Sequence, residues 1–354
     1  MNQPTPDFQL SFLSNLQRLL AEGSFVATYK YALLMALADL CVEQGREDVG
    51  PLELSTRSIA EKFIQYYWRQ GMPFVPQSPD GQEAVLRQNS GRQAAIIRLV
   101  MDARRRHAGS LPGACRDEPG WNGLVSDVDD VVRVMPLWKL QTVGRERLDF
   151  LYANTGRGKR IVLKPGVAFC FRTHYAMVAD LIRGAWARYV RRFNLAAMGN
   201  TTDLHEFLFG SERSSLAAVK PILYEFQRGE CFYCRRPLRD DTAHVDHFVP
   251  WSRYPVDLGH NFVLAHATCN GKKSDRLACA EHLNAWVEHA ARFAKQMGRE
   301  FDRNGIVHYL PTSVRIARWA YGQTFNCQGL TWVRMDELQG LPPDWDQTLR
   351  QLLN

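Results

Sequence analysis

The chain has 354 residues, with 44 lysines and arginines against 37 aspartates and glutamates, a formal net charge of +7. That length supports a sizeable core and two or three domains, and the positive surplus favours polyanionic partners without specifying one. The longest apolar run, residues 31–40, contains Asp39 and falls short of the ~18 to 20 residues a membrane span needs, so no membrane helix is expected.

The N-terminus lacks the basic region and continuous apolar stretch of a secretory signal, which predicts a cytoplasmic, reducing location. Eight cysteines are too few for a disulfide scaffold. Cys41, Cys115, Cys170, Cys279 and Cys327 are scattered singly and are expected to be inert.

In chain order, Phe12, Leu16, Leu19 and Leu20 recur at helical spacing before Gly23, and an apolar helix resumes ahead of Leu40, which predicts a helical hairpin. A third helix is expected to start near Ser58. There Ser58 and Glu61 have capping-box spacing, and Ile59, Phe63, Ile64 and Tyr67 form one apolar stripe. Tyr66, Tyr67 and Trp68 are read as packing residues in preference to a base-stacking platform. Residues 71–90 read as a loop, and the following helix ends in Arg104, Arg105 and Arg106.

"LDFLY" and "RIVLK" flank the turn "ANTGRGK", which predicts a β-hairpin with a further strand at "VAFCF". The turn is not a phosphate loop: Ala153 replaces its first glycine and Arg160 stands where Ser or Thr would follow the lysine. Residues 173–193 form an amphipathic helix with Val178, Leu181, Ile182, Ala185, Trp186, Tyr189 and Val190 inward. Arg188, Arg191 and Arg192 lie opposite, where a solvated face and a phosphate contact are both compatible with the pattern. Residues 194–203 are the expected domain boundary.

Chemistry concentrates between Cys231 and Lys273. "CFYC" supplies Cys231 and Cys234, whose two-residue gap lets a tight turn aim both sulfurs at one ion. After 31 further residues, "HATC" supplies His266 and Cys269 with the same gap. Together they make a Cys3His set suited to structural Zn2+, with no position left open for water. In "HVDHFVP" Asp246 stands beside His247 at the end of a short strand closed by Pro250, and Asn270 follows at a helix start in "CNGKKSD". Hard oxygen ligands for Mg2+ and a nitrogen base are thereby brought within one segment.

The stretches "CFYC", "HVDHFVPWS", "NFVLAHATCN" and "GKKSD" resemble an HNH nuclease module, the ββα-metal fold with an added zinc knuckle. The spacing from His247 to Asn261 and Asn270 is similar to that in the HNH domain of RNA-guided CRISPR nucleases. The resemblance implies that His247 is the general base, that Asp246 and Asn270 hold a catalytic Mg2+ or Mn2+, and that Asn261 steadies the loop carrying the base. Lys273 matches a basic position near the scissile phosphate. Arg235, Arg236, Lys272, Lys273 and Arg276 are candidate nucleic-acid contacts, and His244 either supports the metal shell or packs.

The expected fold class is α+β. A mainly helical N-terminal domain (1–205) with a β-hairpin insertion, serving target sensing or partner binding, precedes the HNH domain with its zinc knuckle (206–297) and a helical C-terminal segment (298–354). The expected activity is metal-dependent hydrolysis of duplex DNA to 5′-phosphate and 3′-hydroxyl ends. The architecture resembles that of bacterial restriction or anti-phage nucleases. RNA cleavage, or an inactive zinc-stabilised nucleic-acid binding subunit, are the alternatives.

Overall fold

The computed structural model describes residues 3–75, 84–153, 158–195, 204–210, 214–239 and 242–353. The centre of the loop 71–90, residues 154–157 of the expected hairpin turn and most of the expected boundary 194–203 lie outside them. The chain separates into two compact units, Met1–Gly210 and Ser211–Asn354. Both are α+β, with helices predominating and small antiparallel sheets.

The first unit begins with the expected helical pair, α1 (Pro6–Glu22) and α2 (Tyr29–Gln44). Thr5 caps α1 by accepting from the Phe8 amide, and Phe12, Leu16 and Leu19 are its buried stripe. Helix α2 has no solvent face over most of its length; every residue from Lys30 to Glu43 is buried. Strand β1 (Leu52–Ser55) leads into α3 (Thr56–Gln70), followed by β2 (Pro73–Val75), β3 (Ala84–Val85), α4 (Ala95–Arg106), α5 (Leu111–Arg116), α6 (Glu118–Val134) and α7 (Pro136–Lys139).

The cap of α3 is Ser55, whose hydroxyl accepts from the Ser58 amide, so the helix starts earlier than the Ser58–Glu61 spacing suggested. Strands β4 (Thr142–Val143), β5 (Glu146–Arg147) and β6 (Arg160–Leu163) follow, then α8 (Val167–Thr173), α9 (Tyr175–Phe193) and α10 (Leu204–Phe209).

Two local expectations change. "RIVLK" does form a strand, β6, but its partner is β1, and it meets "LDFLY" only at the isolated bridge Tyr152–Leu163. "VAFCF" is the helix α8: Gly166 adopts φ +83°, and this left-handed residue turns the chain into a helix whose Val167, Cys170 and Phe171 are buried. In α9 Val178, Ile182, Ala185, Trp186 and Val190 are buried as expected, Tyr189 is half-buried and Leu181 is exposed.

The polar groups of α2 are tied to its neighbours. Asp39 accepts hydrogen bonds from Tyr66 Oη of α3 (2.6 Å) and Tyr175 Oη of α9 (2.7 Å). One turn later, Glu43 pairs with the buried Lys62 ammonium of α3 at 2.6 Å. The buried Arg172 guanidinium of α8 donates to the carbonyls of Cys41, Val42 and Gly45, closing the C-terminus of the helix.

In the second unit, α11 (Ser214–Phe226) precedes the two-stranded sheet of β7 (Ala243–His247) and β8 (Phe262–His266), then α12 (Ala267–Lys273). The sheet pairs Ala243 with His266 and His247 with Phe262, so both candidate sites lie at opposite ends of one short hairpin. Helix α13 (Ala280–Asn304) runs past residue 297, and α14 (Leu310–Asn326), β9 (Leu330–Arg334), β10 (Glu337–Gly340) and α15 (Gln347–Leu353) pack into the same unit. Its core holds stacked rings: Phe248 lies on Trp286 at 5.2 Å and on Tyr321 at 6.2 Å, and Tyr321 on Trp345 at 6.0 Å. Among the described residues, no helix is long and apolar enough to cross a membrane.

Candidate active site and metal centre

The turn carrying Cys231 and Cys234 is closed by its own backbone. The Arg235 amide donates to the Cys231 carbonyl, and the Cys231 amide to that of Arg236, with Arg235 itself at φ +58°. The Phe232 amide donates to the Leu264 carbonyl, which seats this turn against β8. Gln227, at the end of α11, brackets the same strand: its Oε1 accepts from the Leu264 amide and its Nε2 donates to the Leu264 carbonyl. His266 ends β8, and Cys269 lies in the first turn of α12.

Ligand atoms of Cys231, Cys234, His266 and Cys269 lie within 4.8 Å of one another. Cys234 Sγ and His266 Nδ1 are 3.3 Å apart. Two ligands of a tetrahedral zinc ion, bound at about 2.3 and 2.0 Å, stand roughly 3.5 Å apart, so the spacing fits. His266 Nε2 lies 3.1 Å from the Pro237 carbonyl oxygen. Donation there puts the proton on Nε2 and leaves Nδ1 as the ligand atom. Burial, then the neighbouring Cys231 and Cys234, push the Cys269 thiol up to about 12. A zinc ion binds the thiolate form, so at this site it would offset the cost of ionising Cys269.

At the other end of the hairpin, Asp246 is buried on β7. Its Oδ2 accepts from Tyr233 Oη at 2.5 Å and from Lys273 Nζ at 3.0 Å. Burial, then Asp246, raise the Tyr233 phenol well above its ordinary pKa, so it remains the donor. Burial lowers the pKa of Lys273, and Asp246 opposes that shift. Lys273 Nζ also donates to the His247 carbonyl at 2.9 Å. Its side chain is 0% exposed, which overturns the expectation that it meets a phosphate directly. It fastens α12 to β7 instead.

His247 stands half-buried between two rings, with Phe262 at 4.9 Å and Trp251 at 5.5 Å, both edge-on. Its Nε2 lies 2.8 Å from Asp257 Oδ1. A carboxylate can only accept, so Nε2 carries a proton, and in the neutral imidazole the lone pair is on Nδ1. Asp257 belongs to the loop 248–261, which Asn261 closes: Asn261 Oδ1 accepts from the Val249 amide at 2.9 Å and Nδ2 donates to the Val249 carbonyl at 3.0 Å. The Phe248 amide adds a bond to the Asn261 carbonyl at 2.7 Å.

Asn270 is half-buried on α12, three residues before Lys273. His244, at the far end of β7, is exposed opposite Ala265. Arg235, Arg236, Lys272 and Arg276 are exposed; Arg235 lies over the Phe232 ring, and Lys272 pairs with the exposed Asp336. Neither Asp257 nor the Tyr233 hydroxyl was among the sequence-derived site residues.

A strand pair and a helix carry a buried aspartate, a histidine held by a carboxylate and a Cys3His cluster, the order of elements in a ββα module. The HNH endonuclease family model matches residues 231–276. The chain carries an HNH endonuclease domain. This HNH domain supports nuclease activity and a nucleic-acid partner, belongs to a metal-dependent family, and contains a cluster able to bind zinc. In the first unit, residues 9–109 match a domain of unknown function, DUF8808. No curated protein matches the chain.

Proposed function

We propose that the chain is a metal-dependent DNA endonuclease in which His247 is the general base. The observation that carries this role is the 2.8 Å approach of His247 Nε2 to Asp257. It fixes one tautomer and leaves Nδ1 free to take a proton from a water attacking phosphorus. Phe262 and Trp251 restrain the ring on its other sides, so the lone pair keeps one direction.

Asp246 and Asn270 are the residues that would hold Mg2+ or Mn2+. Asp246 Oδ2 is occupied by Tyr233 and Lys273, which leaves Oδ1 as the oxygen we assign to the ion. A carboxylate and an amide oxygen form a hard donor set. When bound, such an ion offsets charge on the phosphate and the departing 3′ oxygen. Asn261 holds the loop that presents Asp257 to His247. The expected ends are 5′-phosphate and 3′-hydroxyl.

Arg235, Arg236 and Arg276, together with Lys272, supply exposed positive charge for the phosphate backbone. DNA is favoured by the similarity of the His247–Asn261–Asn270 spacing to a DNA-cutting HNH domain. The likeness of an HNH module behind a large N-terminal domain to bacterial restriction and anti-phage nucleases supports a role in defence. A drop in phage plating that requires His247 would support that role.

The test is digestion of plasmid, single-stranded DNA and RNA side by side with Mg2+ or Mn2+. His247→Ala should abolish cutting while leaving zinc content and circular dichroism unchanged. Full activity in that variant would refute the mechanism, and preferential RNA cleavage would replace the DNA assignment.

A further inference from the structure

Tyr233 occupies a position that the chemistry of the site has not yet used. It lies inside the turn between Cys231 and Cys234, so binding of zinc by those two residues fixes the backbone on either side of it. Its ring is edge-on to His282 at 5.3 Å and to Trp332 at 5.2 Å, and its hydroxyl reaches Asp246 Oδ2 at 2.5 Å. The second arm of the cluster is wired to the same atom. Lys273 sits one helical turn beyond Cys269 on α12, and its ammonium meets Asp246 Oδ2 at 3.0 Å. Each half of the Cys3His set therefore carries one donor, and both donors converge on one oxygen of the carboxylate that faces the catalytic ion.

We infer that Tyr233 is a positioning residue that couples the zinc knuckle to the catalytic-metal site, by pinning Asp246 Oδ2 so that Oδ1 is presented to the ion. The inference rests on Asp246 being a ligand of that ion. Outer hydrogen bonds of this kind orient a ligand and set its basicity, and their loss typically weakens metal binding about 10–100-fold. Within the Cys231–Cys234 turn, Tyr233 can act on Asp246 only through its hydroxyl, because the rest of its side chain is apolar and packed against rings.

The experiment is Mn2+ binding to the full chain, read by electron paramagnetic resonance, with zinc content measured in parallel. Tyr233→Phe keeps the ring and its edge contacts and removes only the hydroxyl. It should weaken Mn2+ binding about 10-fold or more with zinc retained, and should raise the metal concentration needed for half-maximal cutting while kcat at saturating Mn2+ stays within a few-fold.

Cys234→Ser, at the exposed corner of the cluster, should weaken Mn2+ comparably, and Tyr233→Phe should then add little, since both act through one atom. Unchanged Mn2+ affinity in Tyr233→Phe overturns the inference. Additive losses in the double variant overturn the link to zinc. Asp246→Ala separates this from the parent assignment: if it binds Mn2+ as tightly as the native chain, the ligand role of Asp246 fails. If it loses Mn2+ while Tyr233→Phe does not, only the positioning role fails.

Discussion

Asn261→Ala is the substitution whose cost the structure defines most closely. The side chain of Asn261 is buried and makes two bonds, accepting from the Val249 amide at 2.9 Å and donating to the Val249 carbonyl at 3.0 Å. Val249 is itself 1% exposed, so water cannot replace either bond once the amide is gone. Each orphaned backbone group costs about 1–3 kcal/mol, and the pair together about 2–6 kcal/mol. With a urea dependence of about 1.5 kcal/mol per molar, the midpoint of the second unit should fall by roughly 1.3–4 M.

Hydrogen exchange over residues 248–261 should show lost protection at Val249, and cutting should weaken because the same loop carries Asp257. Asn261→Asp keeps the acceptor for the Val249 amide but sets an oxygen against the Val249 carbonyl, so it recovers at most part of the loss. An Asn261→Ala chain with an unchanged midpoint and unchanged exchange would show that the loop is held by other contacts, and the reasoning would fail.

Two further outcomes can be checked directly. Burial lowers the pKa of His260 to about 4, against ~6.5 in the unfolded chain. The unfolded state binds the extra proton between those values, so stability is full above ~6.5 and falls as pH drops toward ~4, by up to about 3 kcal/mol. Urea midpoints compared with His260→Gln between pH 7.5 and 5 should show a flatter dependence in the variant; parallel curves would refute it. Replacing Arg235, Arg236 and Arg276 together by alanine should weaken DNA binding measured without divalent metal, and should reduce the log–log salt slope by ~0.9 for each phosphate contact removed. An unchanged slope would place the nucleic acid elsewhere on the surface.

The Cys3His set was legible in the sequence because ligand spacing within a turn is local: two residues between cysteines suffice to aim both sulfurs. The pairing of Asn261 with Val249 was legible only as a role implied by resemblance. Asp257 could not be found, since a carboxylate ten residues beyond a histidine has no periodic relation to it and reaches Nε2 only after the loop closes. Lys273 misled for a related reason. Its position in the motif is basic and near the site, but burial decides whether a lysine meets substrate or a neighbouring carboxylate, and burial is not written in spacing.

In the first unit, "VAFCF" was mistaken for a strand because a five-residue apolar run has no distinguishing period. Gly166, whose left-handed backbone starts the helix, was the available signal. Ser55 and Ser58 are both plausible caps by composition. The strand immediately ahead, paired with β6, fixes where the helix begins.

Helix α2 carries a last consequence. A cylinder that is greasy on every side can spin or slide among its neighbours with little penalty, and a core built around one invites several near-equivalent arrangements. Asp39 and Glu43 remove that freedom, because the hydroxyls of Tyr66 and Tyr175 and the ammonium of Lys62 approach from fixed directions on two different helices. A rotation of one residue would strand all of them at once. The acids thus act as a key that admits a single setting of the first unit.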